Sequence, residues 1–324
     1  MPTSFAFLCT RIEATDDYER LKKIGLLNTD LQPMPYGELI AIPVTEGELK
    51  LDFQPVEKHN PHSLLNEIIV NPPKKWEKLG DLVIFQEGTD TTDWPLHEIA
   101  DALGAKRLAI QAEIDPGIKR QSQMKLILGS DGWVSHKENF VEYEFDATAV
   151  MFSSGNVTER RRMGQINSSK ETIVDAYCGI GYYTLPFLVT GGAKHVHACE
   201  INPDSISALE KGLARNNVTE KCTIHQGDNR ISMNKLRGIA DRVILGLIPS
   251  SMKTWGLAIN CLKPSGGMIH VHMNVHENEI EDWVKKTTEW FTTVSGKAAT
   301  ATHLEKVKWY CPHIRHVVLD IEIS

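Results

Sequence analysis

A β-branched run, Thr172–Ala176, passes through Asp175 and leads into a turn carrying Gly179 and Gly181. Glycines at such a turn let the backbone approach a ligand with no Cβ in the way. Tyr183 and Thr184 stand where a dinucleotide fingerprint would place its third glycine, which weakens a nicotinamide reading. The next strand-like run ends at Glu200. A carboxylate there can accept both hydroxyls of an adenosine ribose; the plainer alternative is an acid at the helix start before Asn202-Pro203. The third run ends in Gly227-Asp228-Asn229-Arg230. An Asp/Asn pair at that edge can hydrogen-bond an adenine amino group and ring edge, although the same residues also make an ordinary turn. The three signals converge on one crevice above the strand ends.

Other reactive residues carry less. Cys178 has no evident neighbouring base and reads as a small filler. His195 and His197 alternate, as do His270 and His272, with His276 following. No carboxylate or cysteine pattern accompanies them, so satisfied sheet-edge histidines are expected and no metal site. The six cysteines are scattered with no C-x-x-C pair, which argues against a disulfide framework or a cysteine zinc site.

The elements that must hold these residues alternate from residue 172 onward. Strands are expected at Thr172–Ala176, Lys194–Glu200, Cys222–Gln226, Ala240–Leu247 and Gly267–Met273, with helices from Tyr183, Pro203, Ser250 and Glu277. Asn202 is the expected N-cap of the second helix, ahead of Pro203. Such alternation predicts an α/β fold with a doubly wound, Rossmann-like parallel sheet. The last runs, Lys306–Tyr310 and His316–Ile323, have no helix between them and should close the sheet as an antiparallel hairpin. The first 170 residues are punctuated by prolines and read as a smaller α+β module, with helices at Asp16–Leu27 and Pro95–Leu103. The expected division is 1–59 of unclear role, 60–150 as the smaller module, and 151–324 as the ligand-binding domain.

With 324 residues, two domains are the natural expectation. The net charge of −7 argues against coating nucleic acid through bulk charge but leaves room for local basic patches. Lys106, Arg107, Lys119, Arg120 and Lys125 outnumber Glu113 and Asp115; Arg160, Arg161, Arg162 and Lys170 stand against Glu159 alone. Consecutive arginines before the sheet could grip phosphate, or form a solvated linker. No apolar run is long enough to span a membrane. Met1–Arg20 shows no basic-then-apolar signal pattern. The expectation is a soluble, reduced, cytoplasmic protein without an obligate protein partner.

Several separate stretches together resemble one family. They are Met151–Arg160, Asp175–Pro186, His195–Glu200, Gly227–Arg230 and Ala240–Ser251, joined by Trp76–Asp81 and Leu126–Trp133. The chain from about residue 60 onward resembles the tRNA wybutosine-synthesising aminocarboxypropyltransferases, relatives of the tRNA guanine-37 methyltransferases. The resemblance implies an enzyme that uses S-adenosyl-L-methionine (AdoMet) but transfers its 3-amino-3-carboxypropyl arm. The implied acceptor is the wyosine precursor, 4-demethylwyosine, at position 37 of phenylalanine tRNA, with methylthioadenosine leaving. Carried onto this chain, Ser153, Arg160, Glu200, Asp228 and Asn229 would contact AdoMet together with the loop of Asp175, Gly179 and Gly181. Residues 60–150 would face RNA. Gly246, Pro249, Ser250 and Ser251 would form the substrate loop. Arg161, Arg162, Lys119 and Arg120 would meet the anticodon arm.

The methyltransferase relatives are the main alternative. They carry an arginine where this chain has Gly155 and an asparagine where it has Gly246. Methylating a ring nitrogen requires removing its proton, so such polar groups matter there. Carbon transfer from the methionine γ-position needs mainly in-line geometry. This chain departs from the aminocarboxypropyl pattern at Ile201, where tryptophan is usual, and at Cys178, where alanine is common.

Overall fold

The computed structural model describes residues 1–55, 60–112 and 122–324. They divide into two units, Met1–Lys74 and Lys75–Ser324. In the first unit, β1 (Thr3–Thr10) and α1 (Ala14–Lys23) precede β2 (Met34–Tyr36), β3 (Leu39–Val44) and β4 (Leu49–Asp52). The strands form an antiparallel sheet in the order β2-β3-β1-β4. Ala6, Leu31, Ala41 and Phe53 form its core. α2 (Pro61–Ile68) follows, with the Asn60 side chain accepting from the His62 N–H.

The second unit begins with β5 (Trp76–Leu79), β6 (Leu82–Phe85), α3 (Leu96–Ala102), β7 (Arg107–Ile110) and β8 (Lys125–Leu128). These strands pair in chain order; β6 and β7 are parallel, joined through α3, and the outer pairings are antiparallel. Next comes an antiparallel hairpin, β9 (Trp133–Glu138) and β10 (Val141–Asp146). Val141, Tyr143 and Phe145 are buried on one face of β10, the strict alternation of a half-covered strand.

The remaining elements are α4 (Val157–Gln165), β11 (Thr172–Asp175), α5 (Thr184–Val189), β12 (His195–Glu200), α6 (Pro203–Arg215), β13 (Cys222–Gln226), α7 (Asn229–Asn234), β14 (Arg242–Leu245), α8 (Trp255–Cys261), β15 (Gly267–His276), α9 (Ile280–Ser295), β16 (Ala299–Cys311) and β17 (Ile314–Ile323). Seven strands form one sheet in the order β13-β12-β11-β14-β15-β17-β16. The first five run parallel and the last two close it antiparallel. This is the expected doubly wound Rossmann-like fold. α4, α5 and α6 bury Met163, Leu185, Phe187 and Leu209 on one face. α7, α8 and α9 bury Met233, Trp255, Ala258 and Phe291 on the other. Strand order reverses between β11 and β14, and that switch point opens the crevice at the strand ends.

The β9–β10 hairpin packs against this sheet's own helix α6. Asn216 donates to the Glu142 carbonyl at 2.7 Å and accepts from the Glu142 N–H at 3.0 Å. Arg215 pairs with Glu144 at 2.6 Å. The expected boundary at 150/151 therefore falls between the hairpin and the helix that it clasps.

A buried polar network crosses the sheet. Arg162 binds Glu159 and Asp320, His270 lies between Asp320 and Arg242, and Arg242 pairs with Glu171. His270 was expected at a sheet edge. It is instead fully buried in an internal strand, with both ring nitrogens engaged.

Candidate ligand crevice

Asp175 ends β11 with its carboxylate turned inward. It accepts from the Thr184 hydroxyl at 2.8 Å and the Tyr177 N–H at 3.3 Å. Full burial pushes it up to about 7. It therefore fixes the two ends of the glycine turn rather than reaching outward. Between those ends, Gly179 and Gly181 adopt φ of +55° and +94°. A Cβ at 181 would lie 2.8 Å from both Leu185 and Leu209, so the turn can hug α5 and α6 only as glycine.

Glu200 stands at the end of β12, next to this turn. Its carboxylate accepts from the N–H groups of Gly179 at 2.9 Å, Ile201 at 2.9 Å and Asn202 at 2.7 Å. Burial raises its pKa, and those N–H donors oppose the rise. Three donors fix the carboxylate: Oε1 takes two of them, and Oε2 takes one and keeps lone-pair capacity for a hydroxyl. Asp228 caps α7 by accepting from the Arg230 N–H, and it also pairs with the Arg230 side chain. Asn229 donates to the Ala176 carbonyl at 2.8 Å, which ties β13's loop to the glycine turn. Asp175, Gly179, Glu200 and Asn229 are thus joined at the ends of adjacent strands.

Ser153 and Arg160 lie before the sheet. Arg160, only 1% exposed, clamps Glu138 with two hydrogen bonds, at 2.5 and 2.6 Å, and donates to the Ser153 carbonyl at 2.8 Å. Its guanidinium stacks on Phe152, 4.5 Å from the ring centroid. The resemblance implies a ligand contact for Arg160; in the structure its bonds hold the 152–153 segment to the hairpin. The Ser153 hydroxyl accepts from Lys308 at 2.5 Å. Lys308 is a residue that the sequence reading missed, because only the β16–β17 register brings it here.

Arg162 also turns inward, onto Glu159 and Asp320. Both carboxylates hold the guanidinium charged, and Glu159 is itself pushed up to about 7 by burial. A charge run reads as surface in sequence, yet α4 buries Arg160 and half-buries Arg162 against carboxylates. Lys119 and Arg120 lie outside the described residues.

The loop after β14 closes the crevice. A Cβ at Gly246 would sit 3.2 Å from the Tyr183 ring, and one at Gly155 would sit 3.0 Å from Lys308. The Pro249 carbonyl accepts from the Asn274 N–H. Ser250 accepts from the Met252 N–H, and buried Ser251 accepts from the Trp255 indole at 3.1 Å. Both serines shape the start of α8. Cys178 is buried, and burial pushes its thiol well up, which fits a filler and not a nucleophile. Ile201 is exposed beside Glu200.

Burial lowers the pKa of six histidines: His195, His197, His225, His270, His272 and His316. The folded rings stay neutral while the unfolded chain protonates below about 6.5. Stability from these groups is full above that pH and falls as the pH drops, down to about 4 for His197 and His316. Asp175, Glu159 and Glu200, with raised values, act oppositely: their stability is present at low pH and lost as it rises. Each proton of difference is worth about 1.4 kcal/mol per pH unit. Below about pH 4.5 the carboxylates of Glu138, Asp241 and Asp320, held low by cationic partners despite burial, add to the loss from the histidines. The urea midpoint should be lower at pH 4 than at pH 7, and an equal or higher midpoint at pH 4 would contradict this.

A family model for the TRM5/TYW2 methyltransferase domain matches residues 134–298. The chain is 44% identical over 277 residues to tRNA wybutosine-synthesizing protein 2/3/4 of Arabidopsis thaliana, covering 82% of this chain and 27% of that one. It thus spans about a quarter of that plant relative. It is 41% identical to the tRNA wybutosine-synthesizing protein 2 homolog of Danio rerio, covering 77% of this chain and 71% of that one. Its structure is similar to that of M. jannaschii TYW2 in complex with AdoMet, with a TM-score of 0.64 and 27% identity over 77% of this chain and 99% of that one.

Proposed function

The chain belongs to the TRM5/TYW2 family, and on that premise we propose that it transfers the 3-amino-3-carboxypropyl group of AdoMet to 4-demethylwyosine at position 37 of phenylalanine tRNA. Methylthioadenosine is the other product. The ring carbon of the acceptor attacks the methionine γ-carbon, the bond from that carbon to sulfur breaks, the sulfonium leaves as a neutral thioether, and the ring carbon then gives up its proton to water. The sulfonium is already a good leaving group, so the protein's task is orientation.

Glu200 holds the ribose, Asp228 and Asn229 the adenine, and the Gly179–Gly181 turn lies against the nucleoside. Ser153 borders the amino-acid arm, with Arg160 holding the segment behind it. The observation that carries carbon transfer over ring methylation is at Gly246. A Cβ there would sit 3.2 Å from the Tyr183 ring, so a side chain would need that ring to give way. The Gly246-Leu247-Ile248-Pro249 stretch brings no polar side chain to remove a ring N–H proton ahead of attack.

Residues 60–150 and Arg161, with Lys119 and Arg120, face the anticodon arm in this reading, and the protein acts in the cytoplasm. No helix among the described residues is long and apolar enough to cross a membrane. Arg161→Ala is expected to weaken tRNA binding and to reduce its salt slope by about 1, the signature of one lost phosphate contact. An unchanged slope assigns Arg161 to the scaffold.

The deciding experiment gives the enzyme precursor-bearing tRNA with AdoMet labelled either on the methyl or on the carboxyl carbon. Carboxyl label should enter the tRNA and methyl label should leave as methylthioadenosine. Methyl label alone in the tRNA would establish the methyltransferase alternative. AdoMet binding with neither label transferred would indicate a non-catalytic binding protein.

A further inference from the structure

Among the described residues, seven buried side-chain nitrogen and oxygen atoms have no hydrogen-bond partner. Only the Trp283 indole stands apart. The other six belong to Glu77, Asn156, His272, Asn274 and His316, and these residues are linked. His272 and His316 share a hydrogen bond of 3.1 Å, Nδ1 to Nε2. Asn274 stands opposite His316 in the β15–β17 register, and Lys308 stands opposite it from β16. The turn containing Asn156 rests on β16, and Lys308 lies within electrostatic reach of Glu77. Buried polar groups are normally paired, so unpaired ones concentrated in one place mark a site for a ligand.

The position of the cluster agrees. Leu245, the last residue of β14, pairs with Val271, so β15 overhangs its neighbour from His272 onward. Asn274 meets the substrate loop through Pro249. The Tyr183 ring lies 4.9 Å from the His272 ring, centroid to centroid, and supplies an aromatic wall at Gly246. Gly155 and Gly246 leave room for the Lys308 and Tyr183 side chains at the two sides of the cluster.

We infer that His272, His316 and Asn274 form the seat of the acceptor base, a planar heterocycle carrying both hydrogen-bond donors and acceptors. This deepens the proposed reaction and rests on it. The two neutral imidazoles share one proton between them, Nδ1 of one facing Nε2 of the other. When His272 donates to His316, the His272 Nε2 is an acceptor and the His316 Nδ1–H a donor; when the bond runs the other way, both roles exchange. The pair therefore always offers one donor and one acceptor, and it can adapt to either edge of a base. Asn274 offers one of each as well. His272 and His316 are each 1% exposed and their unpaired atoms are buried, so a base reaches them only by leaving the helical stack, as enzymes acting on nucleobases require, and by displacing the side chains that cover them.

The test uses the full chain with two tRNAs, one bearing the tricyclic precursor and one with guanosine at position 37. Wild type should bind the first more tightly. His272→Gln and Asn274→Leu should each erase at least tenfold of that preference and raise the KM for precursor-bearing tRNA by a similar factor. AdoMet affinity, measured by calorimetry without tRNA, should stay unchanged, and a cooperative melting transition should show that each variant is folded. His272→Phe, which fills the volume without a polar atom, should lose more than His272→Gln. Folded variants with unaltered preference and KM overturn the seat. An equal loss of AdoMet affinity also overturns it and assigns the cluster to AdoMet. A wild type that transfers no carboxyl label refutes the proposed reaction instead, and the binding preference still decides whether the seat reads the base.

Discussion

Arg160→Ala lowers the free energy of unfolding by about 3–5 kcal/mol, the range for removing one partner of a buried ion pair. Glu138 is then left with its side chain 9% exposed and no guanidinium. The substitution also removes the donor to the Ser153 carbonyl and the cation over Phe152. Arg160→Lys should lose less than the alanine variant but still be destabilised, because an ammonium keeps the charge and cannot reproduce the two-pronged contact. Urea denaturation of the full chain measures both. A loss below about 1 kcal/mol for the alanine variant would mean that Glu138 finds water or another partner.

Glu200→Ala weakens AdoMet binding by about 1.5–3 kcal/mol, the scale of hydrogen bonds to a charged group. That corresponds to roughly 10- to 150-fold in the dissociation constant, read by titration calorimetry. Part of the loss is indirect, since the N–H groups of Gly179, Ile201 and Asn202 lose their shared acceptor. Glu200→Gln separates the contributions: it keeps an acceptor for the turn and removes the charge. An affinity between those of wild type and alanine is expected. Unchanged affinity in both variants would remove Glu200 from the ligand site.

The sequence was most informative where one segment carries its own signal. The parallel strands, the Asn202 cap and the glycine turn each rest on local periodicity or turn chemistry, and the structure holds them within a few residues of the expected bounds. β15 and β16 run longer than expected, because pairing with β17 extends them beyond their apolar stretches. β1 escaped notice because Thr3–Thr10 has no flanking turn signal, and its place between β3 and β4 is set by pairing alone.

At the site, Glu200, Asp228 and Asn229 were legible because strand ends in this fold gather at one edge. The ion pairs of Arg160 and Arg162 left no local signal in the sequence. They reach Glu138 and Asp320, carboxylates 22 and 158 residues away. The His272–His316 pair was hidden for the same reason, its members lying 44 residues apart. Alternation put His270 and His272 on one face but could not reveal what stood opposite.

The close packing at Gly155 and Gly246 also bears on how such an enzyme could change chemistry during evolution. An arginine introduced at 155 would meet Lys308, and an asparagine at 246 would meet the Tyr183 ring. Neither change toward the methyltransferase pattern can be accommodated unless its neighbour shifts or is replaced in step. Position 155 is therefore tied to 308 and position 246 to 183, and a substitution at either glycine is tolerated only as far as its neighbour gives way.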